Sequence, residues 1–311
     1  MKTEKKAVRR TGKKKISNAD LYVMIFPAVV YFIIFAYLPM IGLIIAFKNY
    51  NYTDGILFSP WCGLDNFKFL FESGKAWMLT RNTIVYNIVF LITGISFEVV
   101  LAVFLSEIGG TKLKKLCQSV MILPNFISWV VIAVFAYSFL NFETGVVNRL
   151  LISMGHNPVQ FYSEVGAWKY ILVFVNLWKS AGYGSIIYLA TITGMDTSIY
   201  EAAEIDGANA WKRIRYITLP LLTPTIITMS LLSVGRLLRG NFDMFYQLIG
   251  NNGILYDSTD IIDTYIFRAL MTSPNIGMSS AVGFLQSVLC FLIIIAVNKA
   301  VKMYEADYAL F

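Results

Sequence analysis

FPAVVYFIIFAYLPMIGLIIAF, residues 26–47, runs without a single charged side chain. A barrel strand alternates polarity over about ten residues. This stretch is apolar nearly throughout, and in hydrocarbon every backbone N–H and C=O must find its partner inside the segment, which a lone helix achieves and a lone strand does not. The fold class that follows is all-α, with lipid as the solvent of much of the chain.

The rest of the sequence agrees with its decisive stretch. The 311 residues are 57% hydrophobic, 15% aromatic and 14% charged, with a mean hydropathy of +0.62, against roughly 25% charge in a soluble domain. A helix crosses a bilayer in about 20 residues. Six apolar segments of that order stand out, at about 20–47, 82–105, 118–140, 168–193, 219–240 and 279–300. A polytopic membrane protein with six transmembrane helices is expected, as one membrane domain over 20–311 behind a basic tail at 1–19.

Six spans put both termini on one side, and Lys and Arg choose which. Of 26 basic residues, eight lie in the tail MKTEKKAVRRTGKKK, three in the 106–117 loop, three in the 194–216 loop, and Lys299 and Lys302 follow the last span. The opposite loops are longer in total yet carry only Lys48, Lys68, Lys75, Arg81, Arg149, Lys169 and Arg268. The positive-inside rule makes the tail, the C-terminus and the segment around residue 201 cytoplasmic.

Several functions are disfavoured. The apolar run after the tail is about twice the length of a signal-peptide core and lacks a small-x-small cleavage site, so the first span is retained. A basic run beside a span orients the chain and contacts lipid rather than nucleic acid. Cys62 is expected outside, Cys117 inside and Cys290 within the last span, so no two can pair. The single histidine, His156, has no Cys or carboxylate cluster beside it, and neither a metal site, a catalytic residue nor a nucleophile triad can be assembled. The absence of a Gly-x-x-x-x-Gly-Lys-Ser/Thr loop leaves the chain without the usual equipment for nucleotide hydrolysis and with no cofactor of its own.

One polar stretch interrupts the apolar pattern. EAAEIDGANAWKRIRYITLP, residues 201–220, falls in a cytoplasmic loop. Ser198 is placed to cap a helix starting at Ile199, with Glu201 at the capping-box position. Ala202, Ile205 and Ala208 then share a stripe. Gly207 marks either close approach by another backbone or a bend. Pro220 and Pro224 suit a fresh helix start.

Glu-Ala-Ala, three residues, Gly, nine residues, Ile-x-Leu-Pro resembles the EAA loop of ATP-binding-cassette importer permeases with a MetI-like membrane domain. The matching positions are Glu201, Ala202, Ala203, Gly207, Ile217, Leu219 and Pro220, with Asp206 beside Gly207. The likeness extends to FPAVVYFIIFAYLPMIGLIIAFKNYN, SPWCGLDNFKFLF, NLWKSAGYGSIIYLATITGMD and IIDTYIFRAL, and is greatest for the carbohydrate permeases of the LplB type. The resemblance implies a type I importer transmembrane domain with a five-helix core at about 78–302 and a coupling loop at 196–220. It implies a bacterial cytoplasmic-membrane subunit that is not an enzyme. The expected partners are a second permease in a heterodimer, two cytoplasmic ATPases that bind ATP and Mg, an extracytoplasmic solute-binding protein, the bilayer, and an oligosaccharide as cargo.

Charge inside a span faces a cavity or a partner. Glu98, Lys179, Arg236 and Arg239 are therefore the default pathway residues. Asn176, Lys179 and Tyr183 share a helix face with Trp178 one step off it, and amides, cations and aromatic rings suit sugar hydroxyls and ring faces. Arg236, Arg239 and Asp243 are expected to align along the fifth span. Glu98 could instead neutralise Lys179 or Arg236. An ion-coupled secondary transporter is the alternative function, although no broken-helix pair, internal repeat or carboxylate relay is visible in the sequence.

Overall fold

The computed structural model describes residues 18–272 and 275–309. The basic tail read at 1–19 lies almost wholly outside the described residues. Among those described there is no β-strand, only a single bridge between Lys48 and Trp61.

Helix α1, Asn18–Phe32, continues through a π turn into a span over Leu21–Phe47. After the short amphipathic α2, Asp65–Glu72, comes α3, Ala76–Glu107, a single rod of 32 residues. The next apolar segment does not form one rod. It divides into α4, Thr111–Ile122, with a 3-10 turn over Leu123–Phe126, and α5, Trp129–Leu140, bent by 95°. Pro124 cannot donate to an α ladder, and Ser128 starts the new helix by accepting from Val131 N–H at 3.4 Å.

Helix α6, Val165–Thr193, packs along α3 as the tightest pair in the molecule. Helix α7, Thr197–Ile205, lies in the loop that precedes α8, Ala210–Val234. Helices α9, Phe242–Ile249, and α10, Ile262–Thr272, are short, and α11, Ile276–Tyr304, closes the fold. Among the described residues four helices are long and apolar enough to cross a membrane, or five if the bent pair is one span. Helix α6 has the length, but polar residues such as Asn176 and Lys179 keep its hydropathy below theirs.

Two local expectations change. The prolines at 220 and 224 do not begin a helix, because α8 has started ten residues earlier, at Ala210 behind the Asn209 cap. Instead Ile214–Thr218 widens into a π turn, with Leu219 N–H bonded to Ile214 O. The same arrangement precedes Pro39, where Leu38 N–H bonds Ile33 O. In both places a Leu-Pro pair follows the π turn, since proline lacks the N–H that would continue the normal ladder. The fifth span also ends early, at Val234, so Asp243 is not on the helix that precedes Arg236; it sits in the first turn of α9.

Three apolar clusters hold the bundle. One gathers Tyr86, Trp168, Leu172 and Phe245, another Ala102, Leu105, Tyr188 and Leu222, and the third Leu70, Leu79, Ile262 and Val282. Side-chain amides pin the outer loops: Asn82 donates to the Asp257 and Asp260 carbonyls, and Asn252 to that of Tyr162 at 2.7 Å. Much of the remaining apolar surface, Leu21–Phe47 above all, stays exposed, as expected where lipid or another subunit is the surroundings.

Candidate functional site: a cationic cavity and a loop helix

The break after Val234 builds the first element. Backbone that leaves a helix at membrane depth has to be satisfied by side chains, and three helices supply them. Asn87 of α3 donates to the carbonyls of Leu237 at 2.9 Å and Arg239 at 3.1 Å. Gln286 of α11 donates to Leu238 O at 2.8 Å. Asp263 of α10 accepts from Gly240 N–H at 2.8 Å. Asn241 caps α9 by accepting from Met244 N–H.

Held in this cage, the turn exposes Arg236 and Arg239 to an open-sided cavity of about 570 Å³. Asn87, Phe90 and Asn176 line it as well. Arg239 donates to Ser287 Oγ at 3.0 Å, and neither arginine forms an ion pair among the described residues. The lining thus combines two guanidinium groups, the amides of Asn87, Asn176 and Asn241, and an aromatic ring, the inventory that binds hydroxyls and carboxylates. Asn87 and the Asp263–Gln286 pair were missed in the sequence because they are remote in chain order. The only available signal was polarity inside apolar runs.

The other expected pathway residues are placed differently. Lys179 points its ammonium at the carbonyls of Pro124, Asn125 and Ile127 and lies 5.2 Å from the Trp129 ring. It thereby satisfies the acceptors freed where α4 and α5 part. Glu98 pairs with neither Lys179 nor Arg236; its carboxylate occupies the space left by the missing side chain of Gly184. Tyr183 and Trp178 are exposed but outside the cavity lining, so only Asn176 of that face joins the arginines. Asp243, also exposed, does not line it either.

The second element is the loop helix α7. Its N-cap is Asp196 rather than Ser198, the Asp196 carboxylate accepting from Ser198 N–H at 2.9 Å. That hydrogen bond holds the Asp196 pKa below the usual carboxylate value, so the cap weakens as the pH falls through it. At the far end Gly207 takes φ +79 and lets Ala208 N–H reach back to Ala203 O at 2.9 Å. Gly207 is therefore a bend and not a close approach, since nothing lies within 4 Å of where a Cβ would sit.

Glu204 and Arg213 form an ion pair that ties α7 to α8, and Tyr200 and Thr218 share a hydroxyl contact of 3.0 Å. Glu201, Ala202 and Asp206 are exposed, Ala203 is half-buried, and Ile205 is 88% exposed at the tip. Ala208 lies past the helix end, so the expected stripe stops at Ile205. Of the remaining loop positions Ile217 is half-buried within the π turn, while Leu219 and Pro220 are exposed after it.

Residues 81–302 match the family described as the binding-protein-dependent transport system inner membrane component. The chain belongs to this family. It is a multi-pass permease subunit of the bacterial plasma membrane with the type I importer fold, and such a subunit carries no ATPase of its own. Dependence on a binding protein sets aside the ion-coupled alternative. The permease is 33% identical over 287 residues to Protein LplB of Bacillus subtilis, covering 92% of this chain and 90% of that one. It is 32% identical over 304 residues to the polygalacturonan/rhamnogalacturonan transport system permease protein YteP of the same organism, with coverage of 98% and 94%. A solved bacterial transporter that imports the acidic polysaccharide alginate superposes with a TM-score of 0.82 at 33% identity, covering 92% of this chain and 96% of the other. A second structure of an alginate transporter, in complex with a periplasmic protein carrying an alginate pentasaccharide, gives 0.80 at 33% identity, covering 90% and 92%.

Proposed function

We propose that this permease forms half of the translocation pathway of an ATP-driven importer for acidic oligosaccharides, paired with a different second permease that closes the open side of the cavity. The observation that carries the reading is the cage-held turn with Arg236 and Arg239, two cations that form no ion pair among the described residues, beside Asn87 and Asn176. Uronate carboxylates suit guanidinium groups, and the amides suit hydroxyls. Relatives named for alginate and polygalacturonan transport support the same cargo class.

An extracytoplasmic binding protein delivers the sugar, and two cytoplasmic ATPases hold ATP and Mg. In this reading α7 is the coupling helix. It seats in a cleft of an ATPase through Glu201, Ala202, Ala203 and Asp206, and the bend at Gly207 returns the chain to the membrane. Ile217, Leu219 and Pro220 carry its displacement into α8, and the two states differ in which side the cavity faces. Six spans with both ends in the cytoplasm complete the arrangement.

The test is uptake by the assembled importer in proteoliposomes, with binding protein outside and ATP inside. ATP-dependent accumulation of labelled oligogalacturonate or oligoalginate, with a neutral oligosaccharide of the same length left outside, is the expected result. Preferential uptake of the neutral sugar would sink the acidic-cargo reading.

A further inference from the structure

Leu238 lies between Arg236 and Arg239 but opens onto a different space, an apolar cavity of about 520 Å³. Its walls are Leu70 and Phe71 of α2, Trp77 at the start of α3, and Val282, Leu285 and Gln286 of α11. Phe71 and Trp77 are exposed at its mouth, at 65% and 77%. The cavity begins at the outer end of α3 and reaches several turns down α11, which places it at outer-leaflet depth under an amphipathic helix.

We infer that this cavity binds one acyl chain of an outer-leaflet anionic phospholipid, with the phosphate held near Lys75. The proposal rests on the orientation that the Lys and Arg distribution predicts, and stands apart from the identity of the cargo. Three features point to lipid. The cavity is continuous with the exposed apolar surface that the bilayer covers, and its lining offers an acyl chain aliphatic and aromatic walls. Trp77 at the mouth is the residue type enriched at headgroup level. Lys75, which precedes the first turn of α3, and Arg81, four residues after Trp77, are exposed cations of the kind that attract a lipid phosphate, and neither forms an ion pair among the described residues.

The site has a consequence for the arginine turn. Gln286 borders the lipid cavity and at the same time donates to the Leu238 carbonyl that holds the turn. An acyl chain packed on Leu238 and Gln286 braces the cage from behind.

The experiment uses the assembled importer in phosphatidylglycerol vesicles containing a trace of phosphatidylglycerol with a diazirine in its acyl tail. After photolysis, the expected label falls on peptides covering Leu70–Thr80 and Val282–Leu289. Leu285→Trp fills the cavity and Ala76→Leu narrows its mouth; each reduces that label about tenfold while label elsewhere is unchanged. Unlabelled phosphatidylglycerol displaces the probe better than phosphatidylcholine does. Label no denser there than on the exposed face of Leu21–Phe47, label unaffected by both variants, or equal displacement by the two lipids would each overturn the proposal.

Discussion

Lys179 directs its N–H donors at three carbonyls of the break between α4 and α5. Lys179→Met keeps the stem and removes the donors; the Pro124 carbonyl still accepts from Ile127 N–H at 3.2 Å, while those of Asn125 and Ile127 lose the ammonium. The expected loss is about 1–2 kcal/mol, read as a lower melting temperature of the purified permease, whereas Lys179→Arg retains most of it. An unchanged melting curve for Lys179→Met would return the residue to the list of cargo contacts. Arg236 predicts the opposite pattern, because its guanidinium faces open space and supports nothing in the fold. Arg236→Gln should leave melting unchanged and lower uptake of an oligouronate about tenfold or more, the value of one charge-assisted hydrogen bond. Residual uptake equal to wild type would exclude Arg236 from the pathway. In the sequence both residues were simply charges within spans. What separates them is the 3-10 turn opposite Lys179, which lies more than fifty residues away in the chain, and the early end of α8 at Gly235, just before Arg236.

Helix α7 was legible as an element, because a polar stretch between apolar runs with good helix formers has few other solutions. Its ends were not. Ser198 and Asp196 are both capable caps, and the choice fell to Asp196, one residue before the helix begins. The breaks were harder still: residues 118–140 and 219–240 read as continuous spans, since hydropathy measures transfer to lipid and is blind to direction. Only Pro124 and the Gly235–Gly240 pair hinted at the interruptions. Gly207 carries the prediction for this element. Asp and Asn both tolerate the left-handed region better than most residues, so Gly207→Asn should keep the bend and most ATP-driven uptake. Gly207→Asp keeps the bend but places a new charge on the face proposed to meet the ATPase. The expected result is normal membrane insertion and a loss of uptake and of co-purifying ATPase of about tenfold. Equal behaviour of the two variants would show that backbone conformation, and not docking, is what position 207 controls.

Across the whole molecule the open question is which way it faces, and the chain carries its own probes. Among the described residues four helices pass for spans by length and hydropathy, a fifth if the bent pair counts, and α6 falls short through polar residues such as Asn176, which lines the cavity, and Lys179, which braces the break between α4 and α5. The distribution of Lys and Arg nevertheless demands one orientation, with the coupling helix inside and α2 outside. Cys62 and Cys117 are free and half-buried, and that orientation sets them on opposite faces of the membrane, while Cys290 is buried in α11. A membrane-impermeant maleimide applied to intact cells should modify Cys62 and spare Cys117 until the membrane is opened. Cys62→Ser should abolish the first signal, and Cys117→Ser the second. Labelling of Cys117 in intact cells would reverse the topology, remove α7 from the cytoplasm and with it any ATPase contact, and place the lipid cavity in the inner leaflet. Labelling of Cys62 alone places the arginine cavity between an outer platform and an inner drive, the geometry in which closing the ATPases can change the side from which sugar reaches Arg236 and Arg239.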